Sequence, residues 1–555
     1  MRQTVRIETL KNAVEHDGQA SVDAVMKKVM SQSDEDAETI IEVVKEEVSN
    51  VNNTDKDGLV SELRDKEPSF FDDESEGDKY SLPELPNATK GEVRMRAAPN
   101  PNGFWHLGHA RMPSVLGTYS SRYDGEMIVR FDDTDPVNKR PKIEAYNQII
   151  DDIEYLGFKP SEVVYASDRM SIYYKYARKL IDLGVAYTCW CSSDKMSDNR
   201  RSGDRCSCYD NSSNDRKIFE QMVNGRHDSG DVTLRIATDI NHKNPAVRDW
   251  VAFRILDANH PRDLEDNYSL WPTLDFQSAI DDHKLDITHI IRGIDLQDSE
   301  KRQKYIYEAL EWDYPEVLHW GRISVDEYDV PLSSSSINEL ISDGTIEGWN
   351  DPKAPTISSL RRRGIEGEAI VESMLSLGLS TNDATLSMSE IYTRNREVVD
   401  SNTPRAFFVA DAKKNKFAVH GGPEVAELPT SPDSTNSRSV RVGSSVWLPD
   451  EALVNTGERV WLKGVGCFKR DGDELLFVSE DTELVEDGEV PVGYWVSTDD
   501  NVEVDVIMKD GTVMHGHADR TVDTIQEGNL IRFGLVGFAN LDNKGDKFRF
   551  VLSHD

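Results

Sequence analysis

The sequence predicts a multidomain protein with an α/β core, a helical N-terminal extension and an all-β C-terminal region. Strand-like and helix-like segments alternate from about residue 93 onward, which is typical of a parallel α/β domain. Apolar and polar residues alternate singly after about residue 400, which indicates antiparallel strands. The first 88 residues are acidic and carry apolar residues at helical spacing. A chain of 555 residues has room for these separate domains.

The N-terminal extension covers residues 1–88. Its segment SVDAVMKKVMSQSDEDAETIIEVVKEEV has helical apolar spacing and begins with the residue types that start helices. A charged, proline-containing stretch follows and is typical of a linker. No motif here indicates chemistry, so we expect either a partner-binding module or a solvated helical unit.

The α/β core covers residues 89–400. EVRMRAAP and EMIVRFDDTDP predict strands, whereas HARMPSVLGTYSSRYDG and IEAYNQIIDDIEYLGF predict helices. In parallel sheets the chemistry lies at the carboxyl ends of the strands. Both RAAPNPNG and RFDDTD stand at such ends, so we expect them to form one site.

The C-terminal region covers residues 401–555. Segments such as SVRVGSSVWLPD, ERVWLKGVGCFKR and NLIRFGLVGFANLD alternate apolar and polar residues and are separated by Gly, Asp and Asn. This pattern is typical of antiparallel β-barrels, and we expect two small ones.

The charge of the chain is strongly negative. The formal net charge is −37 and the pI is about 4.7. An acidic surface repels phosphates in dilute salt, but in about 1 M salt the Debye length falls to about 3 Å and the repulsion is screened. We interpret the acidity as adaptation to a salty cell interior, so the charge does not exclude a nucleic-acid partner. The sequence has no run of about 18 apolar residues and no apolar signal segment, which predicts no membrane contact and a cytoplasmic location.

The stretch APNPNGFWHLGHAR holds two imidazoles directly after a glycine- and proline-rich turn. Glycine lets the backbone approach a ligand, and a helix N-terminus favours phosphate. His106 and His109 fall on one face of the following helix, where both can donate hydrogen bonds to a phosphoryl group. The alternative is a turn whose histidines are satisfied by backbone groups.

Four of the five cysteines lie within one window of twenty residues, CWCSSDKMSDNRRSGDRCSC. The C-x-C pairs at Cys189 and Cys191 and at Cys206 and Cys208 predict a closed four-thiolate Zn²⁺ site of structural type. The alternative is a chance cluster of free thiols. Cys467 stands in a strand pattern and is expected in a core.

HLGH after P-x-P-x-G resembles the HIGH signature of class I aminoacyl-tRNA synthetases, and RFDDTDP follows as in the glutamyl/glutaminyl branch. The similarity continues in order through WPTLDFQSAIDDHKLDITHIIRGIDL, WDYPEVLHWGRI, WNDPKAPTISSLRRRGI and TPRAFFV. The archaeal, halophilic glutamyl type is the most similar pattern. The resemblance implies a Rossmann-like catalytic domain, an acceptor-binding insertion at about 185–280, a helical connector at about 337–400 and anticodon-binding barrels in 401–555.

The resemblance also implies an activity and its residues. Glutamate would be activated by ATP with Mg²⁺ and transferred as glutamyl-adenylate to tRNA(Glu), and also to tRNA(Gln) in a non-discriminating enzyme; a monomer is expected. Carboxylates require guanidinium forks and the ammonium requires an acid. The implied catalytic residues are His106, His109, Ser333, Ser334 and Ser335; the implied ATP-binding residues are Pro99, Pro101, Gly103, His106, Gly108, His109, Arg322 and Leu332; the implied glutamate-binding residues are Arg96, Asn100, Asp132 and Arg292.

Two positions depart from the family pattern. Leu274 stands in WPTLDF where the family has tyrosine, so one hydroxyl donor is absent. DVPLSSSSI stands where the family has its KMSKS loop, and no lysine follows the serines directly. Hydroxyls and backbone N–H groups can bind phosphate there without the cation, and we expect Arg322 or a helix dipole to share the pyrophosphate.

Basic residues are grouped at two places, LRRRG and DAKKNK. We expect them to contact tRNA phosphates, the alternative being solvated faces. They are Arg361, Arg362, Arg363, Lys413, Lys414 and Lys416.

Three other functions fit parts of the sequence. A glutaminyl-tRNA synthetase would typically have DDTNP where this chain has DDTDP with Asp135. A catalytically weakened tRNA-binding paralogue would explain Leu274 and the serine loop. The family residues that are intact argue against it: His106, His109, Arg96 and Asp132. A nucleoside-modifying adenylate-forming transferase would lack the C-terminal barrels.

Overall fold

The computed structural model describes residues 2–15 and 37–52, isolated positions between 20 and 66, and 82–555 apart from 211, 329–331, 411–414, 433, 456, 483–484 and 486–489. The chain forms two compact units, Met1–Leu82 and Pro83–Asp555. None of the described helices is long and apolar enough to cross a bilayer.

The first unit is built on two helices, Arg2–Glu15 and Ala37–Asn52. Arg6 donates to Glu47 at 3.0 Å and to Glu62 at 2.6 Å. The apolar faces of the helices form a core of their own that includes Val5, Leu10, Val44 and Val48. Most of the predicted linker at residues 61–87 lies outside the described residues.

A five-stranded parallel sheet forms the centre of the second unit, in the order β3-β2-β1-β8-β9. The strands predicted around Val93 and Glu126 are β1 and β2, and the helices predicted after them lie at Arg111–Arg122 and Ile143–Tyr155. Further helices of this layer are Met170–Asp182, Leu274–Lys284 and Gln297–Leu310. The five strands are β1 Arg94–Ala97, β2 Glu126–Phe131, β3 Val163–Tyr165, β8 His289–Gly293 and β9 Glu316–Trp320.

A separate antiparallel sheet, β4-β5-β6-β7, is inserted between β3 and β8. It packs its apolar face against the helix Met170–Asp182 in one buried cluster. Its strands are β4 Ala186–Cys189, β5 Thr233–Ile236, β6 Val251–Ile255 and β7 Leu270–Pro272, and its helices are Ser193–Ser202, Ser207–Asp210 and Asp215–Val223.

Four helices and one strand pair connect the sheet to the C-terminal region. The predicted helical connector thus also contains β11, which pairs in parallel with β10. The helices are Ser334–Ser342, Ile357–Arg363, Gly367–Ser376 and Met388–Val399, and the strands are β10 Ile323–Val325 and β11 Ala384–Leu386.

In the described part of the C-terminal region, the strands form two seven-stranded sheets and a two-stranded hairpin. The orders are β12-β25-β26-β27-β23-β24-β13 and β21-β18-β19-β20-β14-β17-β22, and each sheet encloses its own apolar cluster. The predicted all-β class is confirmed. The strands are β12 Arg405–Ala406, β13 Phe408–Ala410, β14 Lys416–His420, β15 Val425–Pro429, β16 Ser437–Arg441, β17 Ser445–Trp447, β18 Arg459–Leu462, β19 Gly466–Asp471, β20 Glu474–Ser479, β21 Val492–Gly493, β22 Val496–Ser497, β23 Val502–Ile507, β24 Val513–Ala518, β25 Leu530–Phe533, β26 Gly537–Lys544 and β27 Phe548–His554.

Candidate functional site

A cavity of about 750 Å³ lies at the carboxyl ends of the parallel strands. Residues at or after the ends of β1, β2, β8 and β9 line it, among them Ala98, Asp132, Gly293 and Trp320. The strand β7 and the helices Leu274–Lys284 and Gln297–Leu310 supply the other wall. The two segments that the sequence placed at strand ends therefore meet at this cavity.

The imidazoles of His106 and His109 lie against each other, with ring centroids 3.8 Å apart. The backbone N–H of His109 donates to the carbonyl of His106 at 3.0 Å. The predicted helix begins here as a 3₁₀ turn, Leu107–Ala110, which continues into the helix Arg111–Arg122. His109 lines the cavity, as do Pro99 and Asn100, whereas His106, Pro101 and Gly103 are not among its lining residues.

Burial keeps both imidazoles neutral. It lowers the pKa of His106 to about 2, with a smaller contribution from the adjacent His109, and it lowers the pKa of His109 to about 4. In each ring the buried Nδ1 has no hydrogen-bond partner among the described residues. A neutral imidazole carries one N–H donor, so each ring can donate one hydrogen bond to a ligand without bringing a full charge.

Two glycines allow close approaches around this turn. A Cβ atom on Gly108 would lie 3.1 Å from the His106 ring and 3.4 Å from Leu332. A Cβ atom on Gly117, in the middle of the following helix, would lie 2.1 Å from the ring of Phe158. A methyl group would overlap the ring at Gly117 and would make a tight contact at Gly108, so both glycines contribute to the close packing of the histidine turn.

The serine loop packs against the same turn. Ser333 caps the helix Ser334–Ser342 by accepting a hydrogen bond from the Ser336 N–H at 3.1 Å, and Ser334 Oγ donates to the carbonyl of Phe104 at 3.4 Å. Gly103 faces Ser334, whereas the Ser335 side chain is exposed. These contacts bring the predicted phosphate-binding segments together.

The cation expected beside the serine loop does not line the cavity, and its role in phosphate binding stays a prediction. The Arg322 side chain is exposed and is absent from the lining of the cavity, while its backbone N–H donates to Asp383 at 2.9 Å. Lys142 Nζ, in contrast, donates to Asn338 on the serine-capped helix at 3.3 Å. Sequence reasoning passed over Lys142 because it belongs to a different segment.

Arg96 and Arg130 share one buried acid. Arg96 Nε donates to Asp282 Oδ1 at 3.0 Å, and Arg130 Nη1 donates to the same oxygen at 2.6 Å. Arg130 also donates to both oxygens of Asp132, at 2.7 and 3.3 Å. All four side chains are buried, so two positive and two negative charges compensate one another in the floor of the cavity.

The carboxylate of Asp132 already has donors in this arrangement. Besides Arg130, Gln277 Nε2 donates to it at 3.0 Å, and Asn100 Nδ2 donates to its backbone carbonyl at 2.7 Å. Burial raises the pKa of Asp132, and the Arg130 guanidinium acts against that rise. Sequence reasoning missed Arg130, Gln277 and Asp282, although the FQSAIDDH segment that carries two of them was part of the resemblance.

Arg292 has no such compensation. It stands near the end of β8, is 6% exposed and lines the cavity. Its hydrogen bonds go to neutral oxygens, Gln303 Oε1 at 3.3 Å and Tyr314 OH at 3.2 Å, and no described carboxylate pairs with it. A buried cation without an acid is costly, so this position favours an anionic ligand.

Leu274 lies at the cavity wall with 41% of its surface exposed. It begins the helix Leu274–Lys284, and its backbone carbonyl accepts from Ser278 Oγ at 2.8 Å. The side chain offers no polar group to a ligand, as expected from its sequence.

The four clustered cysteines come together at one end of the inserted sheet. Their ligand atoms lie within 4.8 Å of one another, with 3.8 Å between the sulfurs of Cys189 and Cys206 and 3.8 Å between those of Cys191 and Cys208. A tetrahedron with Zn–S bonds of about 2.3 Å has edges of about 3.8 Å, so the donor set fits this ion. Cys467 is buried in β19 of a different sheet.

Two of the three arginines in LRRRG form hydrogen bonds within the protein. Arg362 forms a bidentate pair with Asp542 at 2.8 and 2.7 Å, and the buried Arg363 donates to the carbonyls of Leu552 and Ser553. The expectation that Arg363 contacts phosphate is therefore wrong, because this residue is buried and donates to β27. The pair with Asp542 in β26 argues against such a contact for the partly exposed Arg362. Arg361 is exposed, with its guanidinium over the ring of Tyr155. Lys413 and Lys414 lie outside the described residues, and Lys416 is exposed.

Comparison with known proteins agrees with this arrangement. A family model described as tRNA synthetases class I (E and Q), catalytic domain, matches residues 92–401. The glutamate–tRNA ligase of Haloarcula marismortui is 47% identical over 97% of this chain and 95% of its own length. Those of Natronomonas pharaonis, 45% identical over 97% and 95%, and Archaeoglobus fulgidus, 40% identical over the whole of both chains, are also similar. The resemblance drawn from HLGH is thereby confirmed, and the chain belongs to the class I tRNA synthetases of the E and Q group.

Proposed function

We propose that this protein ligates L-glutamate to tRNA(Glu) with ATP, through glutamyl-adenylate. The observation that carries the proposal is Arg292, a buried cation without an acid, in a cavity that His109 also lines. Arg96 contributes a second guanidinium to the same cavity. Two guanidinium groups suit a substrate with two carboxylates.

The chemistry needs no covalent enzyme intermediate. The α-carboxylate of glutamate forms a bond to the α-phosphorus of ATP, and the bond to pyrophosphate breaks. The terminal ribose hydroxyl of tRNA then attacks the acyl carbon, and AMP leaves. The neutral imidazoles of His106 and His109 donate hydrogen bonds to the phosphoryl oxygens, and Ser333, Ser334 and Ser335 bind the pyrophosphate portion. Mg²⁺ arrives with ATP and offsets phosphate charge.

Glutamate is favoured over glutamine because similar archaeal proteins are named glutamate–tRNA ligases. Asp135 in DDTDP also favours glutamate, because the glutaminyl branch typically has DDTNP. We include tRNA(Gln) as a second substrate of a non-discriminating enzyme. The intact cavity supports a catalyst rather than a weakened paralogue, and the C-terminal sheets argue against a nucleoside-modifying transferase.

We propose that Zn²⁺ occupies the four cysteines and stabilises the insertion. Burial raises the pKa of Cys189 to about 12, so metal binding must displace a proton there and should weaken at low pH. Cys206→Ser should release the metal and loosen the insertion while ATP binding is retained, whereas Cys467→Ser should retain the metal. Zinc-free protein on elemental analysis after metal-free purification would contradict this assignment.

The remaining assignments follow the family pattern. We propose residues 1–88, 89–400 and 401–555 as the domain limits, with an acceptor-binding insertion at 185–280 and anticodon binding by the C-terminal sheets. A monomer acting in a salty cytoplasm fits the net charge of −37.

The deciding experiment is aminoacylation with purified tRNA(Glu) and tRNA(Gln), in molar KCl, with each of the two amino acids. We expect glutamyl-tRNA(Glu), and glutamate-dependent exchange of pyrophosphate into ATP. Glutamine-dependent charging instead would identify a glutaminyl enzyme. Retained tRNA binding with no exchange, with or without tRNA present, would favour the paralogue.

A further inference from the structure

Tyr314 and Gln303 form a polar support behind Arg292. Tyr314 lies between the helix Gln297–Leu310 and β9 and is not among the residues that line the cavity. Its hydroxyl donates to Gln303 Oε1 at 2.6 Å and accepts from Arg292 Nη2 at 3.2 Å. Gln303 Oε1 also accepts from Arg292 Nη1 at 3.3 Å. Two neutral oxygens therefore hold the two terminal nitrogens of one guanidinium group.

The direction of each hydrogen bond in this group is determined by its neighbours. Gln303 Nε2 donates to Ser278 Oγ at 2.6 Å, and Ser278 Oγ donates to the carbonyl of Leu274 at 2.8 Å. A flipped Gln303 amide would place its NH₂ against the donors of Arg292 and Tyr314, so its oxygen must face them. Because the amide oxygen faces Tyr314, the Tyr314 hydroxyl donates to it and accepts from Arg292. The two acceptors together hold the guanidinium plane of Arg292 in one orientation.

The partners behind Arg292 are uncharged, so they leave its positive charge uncompensated. A carboxylate behind Arg292 would neutralise its charge, as Asp282 does for Arg96. Tyr314 and Gln303 orient the guanidinium and leave its charge for a ligand. Burial raises the pKa of Tyr314 to about 12, so the phenol stays protonated and keeps its donor.

We propose that Tyr314, together with Gln303, is a positioning residue that orients Arg292 toward a carboxylate of the amino-acid substrate. The inference rests on the proposed glutamate activity. Leu274 lines the cavity and offers no hydroxyl to the substrate. Tyr314 lies behind Arg292 and supplies a hydroxyl to that guanidinium instead.

The test is Tyr314→Phe, with Tyr307→Phe as the matched control. Tyr307 is buried beside it, with ring centroids 4.7 Å apart, and its hydroxyl has no hydrogen-bond partner among the described residues. Both variants remove one oxygen from neighbouring rings of the same cluster. Only the first removes a support of Arg292.

Steady-state exchange kinetics with tRNA in molar KCl, and calorimetric titration with glutamate, give the readout. We expect Tyr314→Phe to raise the KM and the Kd for glutamate roughly five- to tenfold, with the KM for ATP unchanged. Tyr307→Phe should match the wild type. Equal glutamate constants in the two variants would overturn the positioning role, as would a parallel rise in both KM values. A wild-type protein inactive with glutamate would instead overturn the proposed function.

Discussion

Arg96 and Arg292 stand on the neighbouring strands β1 and β8, and each is 6% exposed, yet their partners differ. Arg96 shares the carboxylate of Asp282 with Arg130, whereas the hydrogen bonds of Arg292 to described residues go to the neutral oxygens of Gln303 and Tyr314. Burial and residue type alone therefore do not separate a cation whose charge is already compensated by an acid from one whose charge is not. The charge of the partner does, because a paired cation is already compensated and an unpaired one is not.

The strongest test of the paired group is Arg130→Met. Arg130 is fully buried and bonded to both Asp132 and Asp282, so its loss leaves buried acids without a cation. We expect the free energy of unfolding to fall by about 3–5 kcal/mol, measured by urea denaturation. Arg292→Met, as the control, should change it by less than about 1 kcal/mol. Equal losses would remove the distinction between the two arginines.

The unpaired cation is tested by Arg292→Gln. Without the charge, a substrate carboxylate would lose its buried partner, and we expect the KM for glutamate to rise roughly 100-fold while the KM for ATP stays constant. Steady-state exchange kinetics measure both values. An unchanged KM for glutamate would show that the charge serves another ligand.

The buried histidines differ from the buried arginines because burial keeps their side chains uncharged. The pKa of His109 is lowered to about 4 in the folded protein, against about 6.5 in an unfolded chain, so the unfolded state binds more protons between these values. The free energy of unfolding should therefore fall as the pH falls from about 6.5 to 4, by at most about 1.4 kcal/mol per pH unit for this group. His109→Asn should flatten the slope of urea midpoints against pH. An unchanged slope in His109→Asn would contradict this contribution of the imidazole.

The smallest effect is expected in the basic group on the connector. Arg362→Ala removes a partly exposed pair with Asp542 and should lower the free energy of unfolding by about 1 kcal/mol or less, without changing the affinity for tRNA. Arg361→Ala should instead weaken tRNA binding a few-fold at constant stability, because Arg361 is exposed. Filter binding at two salt concentrations and urea denaturation separate the two. Loss of tRNA affinity in Arg362→Ala would show that Arg362 contacts a tRNA phosphate.

Features carried by short segments could be predicted from the sequence. The cysteines are at most 19 positions apart, and the imidazoles are three apart, so local geometry brings each set together. The order of strands and helices in the α/β core follows from apolar spacing, which is local as well.

Features assembled from distant segments could not be predicted. Asp282 reaches Arg130 across 152 positions, and Arg363 reaches the C-terminal strand across about 190. A run of arginines does not reveal which members will find carboxylates or carbonyls after folding. Tyr314 belongs to the WDYP segment of the sequence, but its role depends on contacts with Gln303 and Arg292 that form only in the folded protein.

Gly117 lies eight positions beyond His109 and outside the cavity lining, yet its hydrogen atom faces the ring of Phe158 where any larger residue would have a methyl group. A Cβ atom here would lie 2.1 Å from that ring, so either the ring or the helix that carries the histidine turn would have to move. Gly117→Ala would leave every group at the cavity chemically intact, so any change in activity would come from packing outside the cavity. We therefore expect the alignment of the imidazoles to depend on a residue that contributes no functional group.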